Sequence, residues 1–148
     1  MPELVIVLVV LAVVAVAVVP KFDLALGFRQ DAWRDQVVAA LRHAKGSAVA
    51  HRRLVCVTVG STAVTLTIAS ANPATSCNAN LTGPDGSAVF ASTANSSLAV
   101  SVSPSGVIYF QPDGRATSDG AGNSPSSRTL SISGLADITV NGETGYVE

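Results

Sequence analysis

Residues 1–22 read MPELVIVLVVLAVVAVAVVPKF. Glu3 stands before sixteen uncharged residues, 4–19, that contain neither Gly nor Pro, and Pro20-Lys21-Phe22 closes the run. As a helix the run would span about 24 Å, slightly less than the roughly 30 Å hydrocarbon core of a bilayer. Valine is a modest helix former in water. In lipid, however, the backbone must satisfy its own hydrogen bonds, so the run is expected to be helical. A secretory signal peptide would fit Ala15-Val16-Ala17 as a cleavage site, yet such peptides open on basic residues and this run opens on Glu3. A plain membrane anchor explains the length but leaves a carboxylate near the bilayer without a partner. It would also hold Lys21, Arg29 and the chain beyond them on the cytoplasmic side.

Beyond Pro20 the pattern becomes that of an amphipathic helix. Trp33, Val37, Leu41, Ala44 and Ala48 recur at spacings of four, four, three and four, while Arg34, Arg42, Lys45 and Arg52 lie mostly off that stripe. Gly27 and Gly46 are its soft points. Residues 1–52 could form one helix about 75 Å long, with a bend expected at Pro20. A globular head needs far less, so half of such a helix is expected to pack against other helices. His43 and His51 lie eight apart on this helix and are expected to be polar-face or head-contacting residues, since no further metal ligands accompany them.

From Leu54 the hydrophobic period drops to two. LVCVTV, AVTLTIA, LAVSVS, VIYFQ, RTLSIS and ADITVN each read as a strand with one apolar face. Gly60-Ser61, Gly83-Pro84-Asp85-Gly86, Pro104-Ser105-Gly106, Pro112-Asp113-Gly114 and Ser133-Gly134 separate them as turns. The fold class expected is α+β: a long N-terminal helix, with an antiparallel β-sheet head packed on its C-terminal half. The divisions are 1–19, a transmembrane and assembly half-helix; 20–52, its amphipathic half; and 53–148, a β-rich head. Residues 70–80 read as a loop. Residues 113–127, polar and Gly-rich, read as a mobile surface loop, because Asp113 and Asp119 lack the spacing of a calcium loop and no Gly-Lys-Ser/Thr marks a phosphate loop.

The two cysteines, Cys56 and Cys77, fall in the first strand and the 70–80 loop. If the apolar start carries the head out of the cytoplasm, a disulfide is the natural reading, contributing about 3 kcal/mol by chain entropy. Two separate buried thiols are the alternative.

The opening resembles the N-terminus of type IV pilins and type II secretion pseudopilins. Pro2-Glu3-Leu4-Val5 and Pro20-Lys21-Phe22 match that family's pattern at the right spacing. The family's basic leader, cleavage-site Gly and first mature Phe are expected upstream of Met1. The resemblance implies that Glu3 sets axial register by pairing with the N-terminal amine of a neighbouring subunit. A snorkelling carboxylate at the lipid headgroups is the bland alternative. VIYFQPDGRA looks like the late strand and turn of GspH/FimT-type minor pilins. ITVNGETGYVE is similar to the tail of MSHA-type minor pilins of the MshC kind, and the helix-to-strand junction LRHAKGSAVAHRRLVCVTV and both cysteine positions suit that group. The partners implied are other pilin or pseudopilin subunits, the inner membrane before assembly, and the prepilin peptidase that cuts and methylates the precursor. The localisation implied is a single pass in the inner membrane with the head in the periplasm, then a pilus or periplasmic pseudopilus. The runner-up within the family is a GspH-type pseudopilin of a type II secretion machine.

No catalytic constellation is visible. Histidines occur only on the helix, no Gly-x-Ser-x-Gly elbow is present, and the head's acids sit in turns. Neither cofactor, metal nor enzymatic activity is expected. Two other functional classes compete. Some FimT-like pilins capture DNA, but residues 54–148 carry only Arg115 and Arg128 against six acids, a net of −4, so nucleic acid is not an expected partner. A membrane-anchored periplasmic binding module would need a convergent polar pocket with perturbed acids.

Overall fold

The structure, a computed structural model, describes residues 1–15 and 27–148 with their side chains. Pro20, expected as the helix bend, lies outside the described residues, as do Lys21 and Phe22. The chain forms two compact units, Met1–Ala32 and Trp33–Glu148. Helix α1 (Pro2–His51) contributes to both.

Pro2 suits a first helical position because its missing N–H would be unsatisfied there anyway. Glu3 lies in the first turn, where a negative charge complements the helix dipole. The other end closes on Arg52, which adopts a left-handed φ of 50°. Arg53 N–H then reaches back to Ala48 O at 3.1 Å, and Arg52 N–H to Val49 O at 3.3 Å. This pair of bonds satisfies carbonyls that the helix end would otherwise orphan.

The second unit contains nine strands: β1 (Val55–Val59), β2 (Ala63–Ile68), β3 (Ala79–Asn80), β4 (Val89–Ser92), β5 (Val100–Ser103), β6 (Ile108–Phe110), β7 (Ala116–Thr117), β8 (Arg128–Ile132) and β9 (Ile138–Val140). They form two antiparallel sheets. The larger has the order β3-β2-β1-β6-β7, with β4 also pairing with β2. The smaller is β5-β8-β9, and a bridge from Val140 to Val147 adds the tail to its edge. All six strands expected from alternation are present. The three unforeseen ones, β3, β4 and β7, are two to four residues long.

Trp33, Val37, Leu41, Ala44 and Ala48, the stripe read from the sequence, are all buried in one core with Val55, Val57, Leu66, Ile108, Phe110, Leu130, Ile138 and Val140. Three polar contacts peg this part of α1 to the strands. Trp33 Nε1 donates to Leu98 O at 3.0 Å, Arg34 Nε to Ala136 O at 3.0 Å, and Arg42 Nη2 to Val147 O at 3.1 Å. His43 lies against the Phe90 ring, centroids 5.2 Å apart, so it is a head-contacting residue as read.

In β1, Val55 and Val57 point to this core, and Cys56 points the other way, into a small cluster with Leu54 and Ala69. There it is joined to Cys77 by a disulfide, with the Cα atoms 6.1 Å apart. The bond ties residues 70–80 to the outer face of the larger sheet. Because it closes a segment with a sequence separation of 21, replacing both cysteines by serine is expected to lower stability by about 3 kcal/mol. Denaturant unfolding of oxidised, reduced and double-serine protein would measure this. Equal midpoints for all three would show that the closed loop contributes nothing.

Residues 113–127 differ from the mobile loop expected. Ala116 and Thr117 are fully buried, and Thr117 pairs with Pro125. The side chain of Gln111 enters the loop and donates from Nε2 to Thr117 Oγ1 at 2.9 Å and to Asp119 O at 3.3 Å. Gly120 lies so close to the Thr75 backbone that no Cβ could be accommodated there. A stretch that reads as polar and Gly-rich is thus held by a buried amide and by backbone contacts that only glycine permits.

Candidate functional site

Two regions carry the residues singled out in the sequence. The first is the start of α1. Glu3 is exposed in the first turn and makes no ion pair among the described residues. After it, the ten large apolar side chains among residues 4–14 are each 53–66% exposed. They surround the helix on every side. A helix that is apolar all round is stable only when enclosed by lipid or by other helices. Among the described residues no helix is long and apolar enough to cross a membrane, and the apolar run read from the sequence continues past residue 15.

The second region lies in the Trp33–Glu148 unit, where the two stretches with the subgroup resemblance meet. Lys45 on α1 runs its aliphatic stem past Gly114 of the Pro112-Asp113-Gly114 turn and past Gly145 of the tail. Gly114 has φ +90° and Gly145 φ +60°, and Gly145 rests directly on the Gly114 carbonyl. Ala116 N–H donates to Gly142 O at 2.9 Å, and the tail is fixed by Thr139 N–H to Glu148 O at 2.9 Å. Next to this junction a groove of about 670 Å³ runs between α1 and the tail, lined by Arg42, Lys45, Gly46, Val49 and Tyr146 among others. Val49 and Tyr146 are the exposed large apolar side chains among the described residues of this unit.

The chain shares its overall fold with the type IV minor pilin FimU of Pseudomonas aeruginosa, solved in two crystal forms. One superposes with a TM-score of 0.61 at 15% identity, covering 81% of this chain and 87% of FimU. The other gives 0.57 at 15% identity, covering 80% and 90%. The chain has a pilin fold. No protein-family description and no curated protein sequence matches it.

Asp113 pairs with Arg115 at 2.7 Å, the one ion pair among the described residues. Burial pushes the Asp113 carboxyl up, but hydrogen bonds and charge from Arg115 outweigh it and hold the group below its ordinary value. Arg128 is buried and donates from Nη1 to Pro104 O at 2.6 Å. Both basic residues of 54–148 are engaged within the head, one with a carboxylate and one with a carbonyl. Among the described residues no group of three or more His, Cys, Asp and Glu side chains could hold a metal. The groove leaves little mark in the sequence. Its only trace there was the pair of unusually apolar positions, Val49 and Tyr146, flanking cationic ones.

Proposed function

We propose that this chain is a structural subunit of a type IV pilus-like fibre, a minor pilin of the MSHA-like group. It resides first as a single pass in the inner membrane with its head in the periplasm. Its precursor is cut and methylated by a prepilin peptidase, and it enters the fibre by burying the first half of α1 among its neighbours' helices. It acts in initiation or at the tip, by analogy with minor pilins. The observation that carries this reading is the start of α1 on a pilin fold: apolar on all sides, exposed, and opened by a single carboxylate at Glu3. A carboxylate drawn into an apolar bundle needs a cationic partner. The N-terminal amine of an adjoining subunit supplies one, and so fixes how far each helix slides.

The test uses the native gene expressed with the fibre's other components. Sheared fibres should contain the chain, and Glu3→Ala and Glu3→Gln should each reduce its incorporation by about tenfold or more, the scale of a buried charge left without its partner. The chain staying wholly in the membrane while fibres form without it would overturn the proposal.

A further inference from the structure

In the groove between α1 and the tail, charge and apolar surface are segregated along the helix. Arg42, Lys45, Gly46, Val49 and Ala50 line it from α1, and residues 145–147 line it from the tail. From residue 42 to residue 50 the helix rises about 12 Å. Arg42 and Lys45, three apart and so neighbours on the helix surface, stand towards one end. Val49 and Ala50 stand at the other, where Val49 is 46% and Tyr146 58% exposed. Gly46 lies between the two ends with open space around its Cα, which keeps the middle of the groove low.

Both cations are placed by the fold. Arg42 Nη2 donates to Val147 O at 3.1 Å, and the Lys45 stem is wedged against Gly114 and Gly145. Neither forms an ion pair among the described residues, and no carboxylate lines the groove. Lys45 also lines the adjoining cleft with Glu148, but the two do not come within ion-pairing distance. Like charges at this spacing repel, and an anion between them relieves the repulsion. A carboxylate suits the pair, with one oxygen for each cation. Arg42 has one Nη2 donor on Val147 O and others to spare, and Lys45 has three.

Size decides what carries the carboxylate. Val49 and Tyr146 alone are too little apolar surface to lie in a bilayer or to centre a standard protein interface. A volume of about 670 Å³ is instead that of a small-molecule site. We infer that the groove binds a small carboxylic acid with an apolar body. Its carboxylate lies between Arg42 and Lys45, and its body crosses Gly46 to rest on Val49, Ala50 and the Tyr146 ring. The site is separate from the start of α1, which carries the fibre-subunit reading.

Photolabelling of the full chain in detergent micelles tests it, with para-benzoylbenzoate as the acid and para-benzoylbenzamide as its neutral match. Irradiation inserts either probe into nearby C–H bonds, and peptide mass spectrometry locates the label. The acid should label Val49, Ala50 and Tyr146 saturably, and the amide about tenfold less, the scale of a charge-assisted contact. Arg42→Gln and Lys45→Gln should each raise the half-saturating concentration by about threefold, the scale of an exposed ion pair. Gly46→Leu should block labelling with both cations in place, because its side chain fills the open middle. Equal labelling by acid and amide would overturn the inference, and that comparison requires no substitution. Labelling confined to residues 4–14, or half-saturation unchanged in both glutamine variants, would overturn it as well.

Discussion

Trp33→Ala is expected to lower the unfolding free energy by about 3–5 kcal/mol. Trp33 is only 3% exposed and sits at the N-terminal end of the buried stripe. Its ring packs into the core, and its Nε1–H satisfies Leu98 O at 3.0 Å. Leu98 ends a 3-10 turn, Ser96–Leu98, capped by Asn95, and that turn leads into β5. Alanine would leave a cavity and also strand the Leu98 carbonyl. Trp33→Phe separates the two terms. It keeps an aromatic ring in the core and loses the donor with part of the volume, so its expected effect is about 1–3 kcal/mol. Denaturant unfolding of the full chain, followed by circular dichroism, would measure both. Equal losses for Phe and Ala would assign the effect to the hydrogen bond and contradict the packing account. A loss below about 1 kcal/mol for Ala would show that the first turn of the stripe contributes little to the core.

What the sequence disclosed follows from how the core is built. The 33–48 stripe and the six alternating strands were legible because burial on one face imposes a period, and the period survives in a single sequence. β3 and β7 escaped because two residues have no period. β4 escaped because its apolar residues, Val89, Phe90 and Ala91, are consecutive, so they show no alternation. The 113–127 stretch was misjudged for a different reason. Its glycines suggest freedom, but Gly120 and Gly122 are needed because the Thr75 backbone and the Gln111 amide press against them. Composition alone does not distinguish a glycine that permits motion from one that permits contact. Glu3 shows the reverse case. Its sequence context is distinctive, but its proposed role lies between subunits, so one chain's fold does not display the partner.

Gly145→Ala should destabilise the head by about 2–4 kcal/mol, and Gly134→Ala by only about 1 kcal/mol, although both glycines have left-handed backbones. Gly134 has φ +79° and nothing near its Cα, so alanine there carries only the conformational penalty. Gly145 has φ +60°, and a Cβ would drive into the Gly114 carbonyl and meet the Lys45 stem. Because the obstacle is backbone, it cannot swing aside. Either the tail or the Pro112-Asp113-Gly114 turn must lift. The tail is held by Asn141 N–H to Tyr146 O at 2.9 Å and by the two bonds between Thr139 and Glu148, so displacement there would open the edge of the smaller sheet. Hydrogen exchange can locate the damage. Faster exchange at Thr139 and Glu148 in the Gly145 variant, with the Gly134 variant unchanged there, would establish that the tail closes the sheet by resting on the turn. Equal stability losses for the two variants would mean that the close approach is relieved without strain and that the tail is not braced by Gly114.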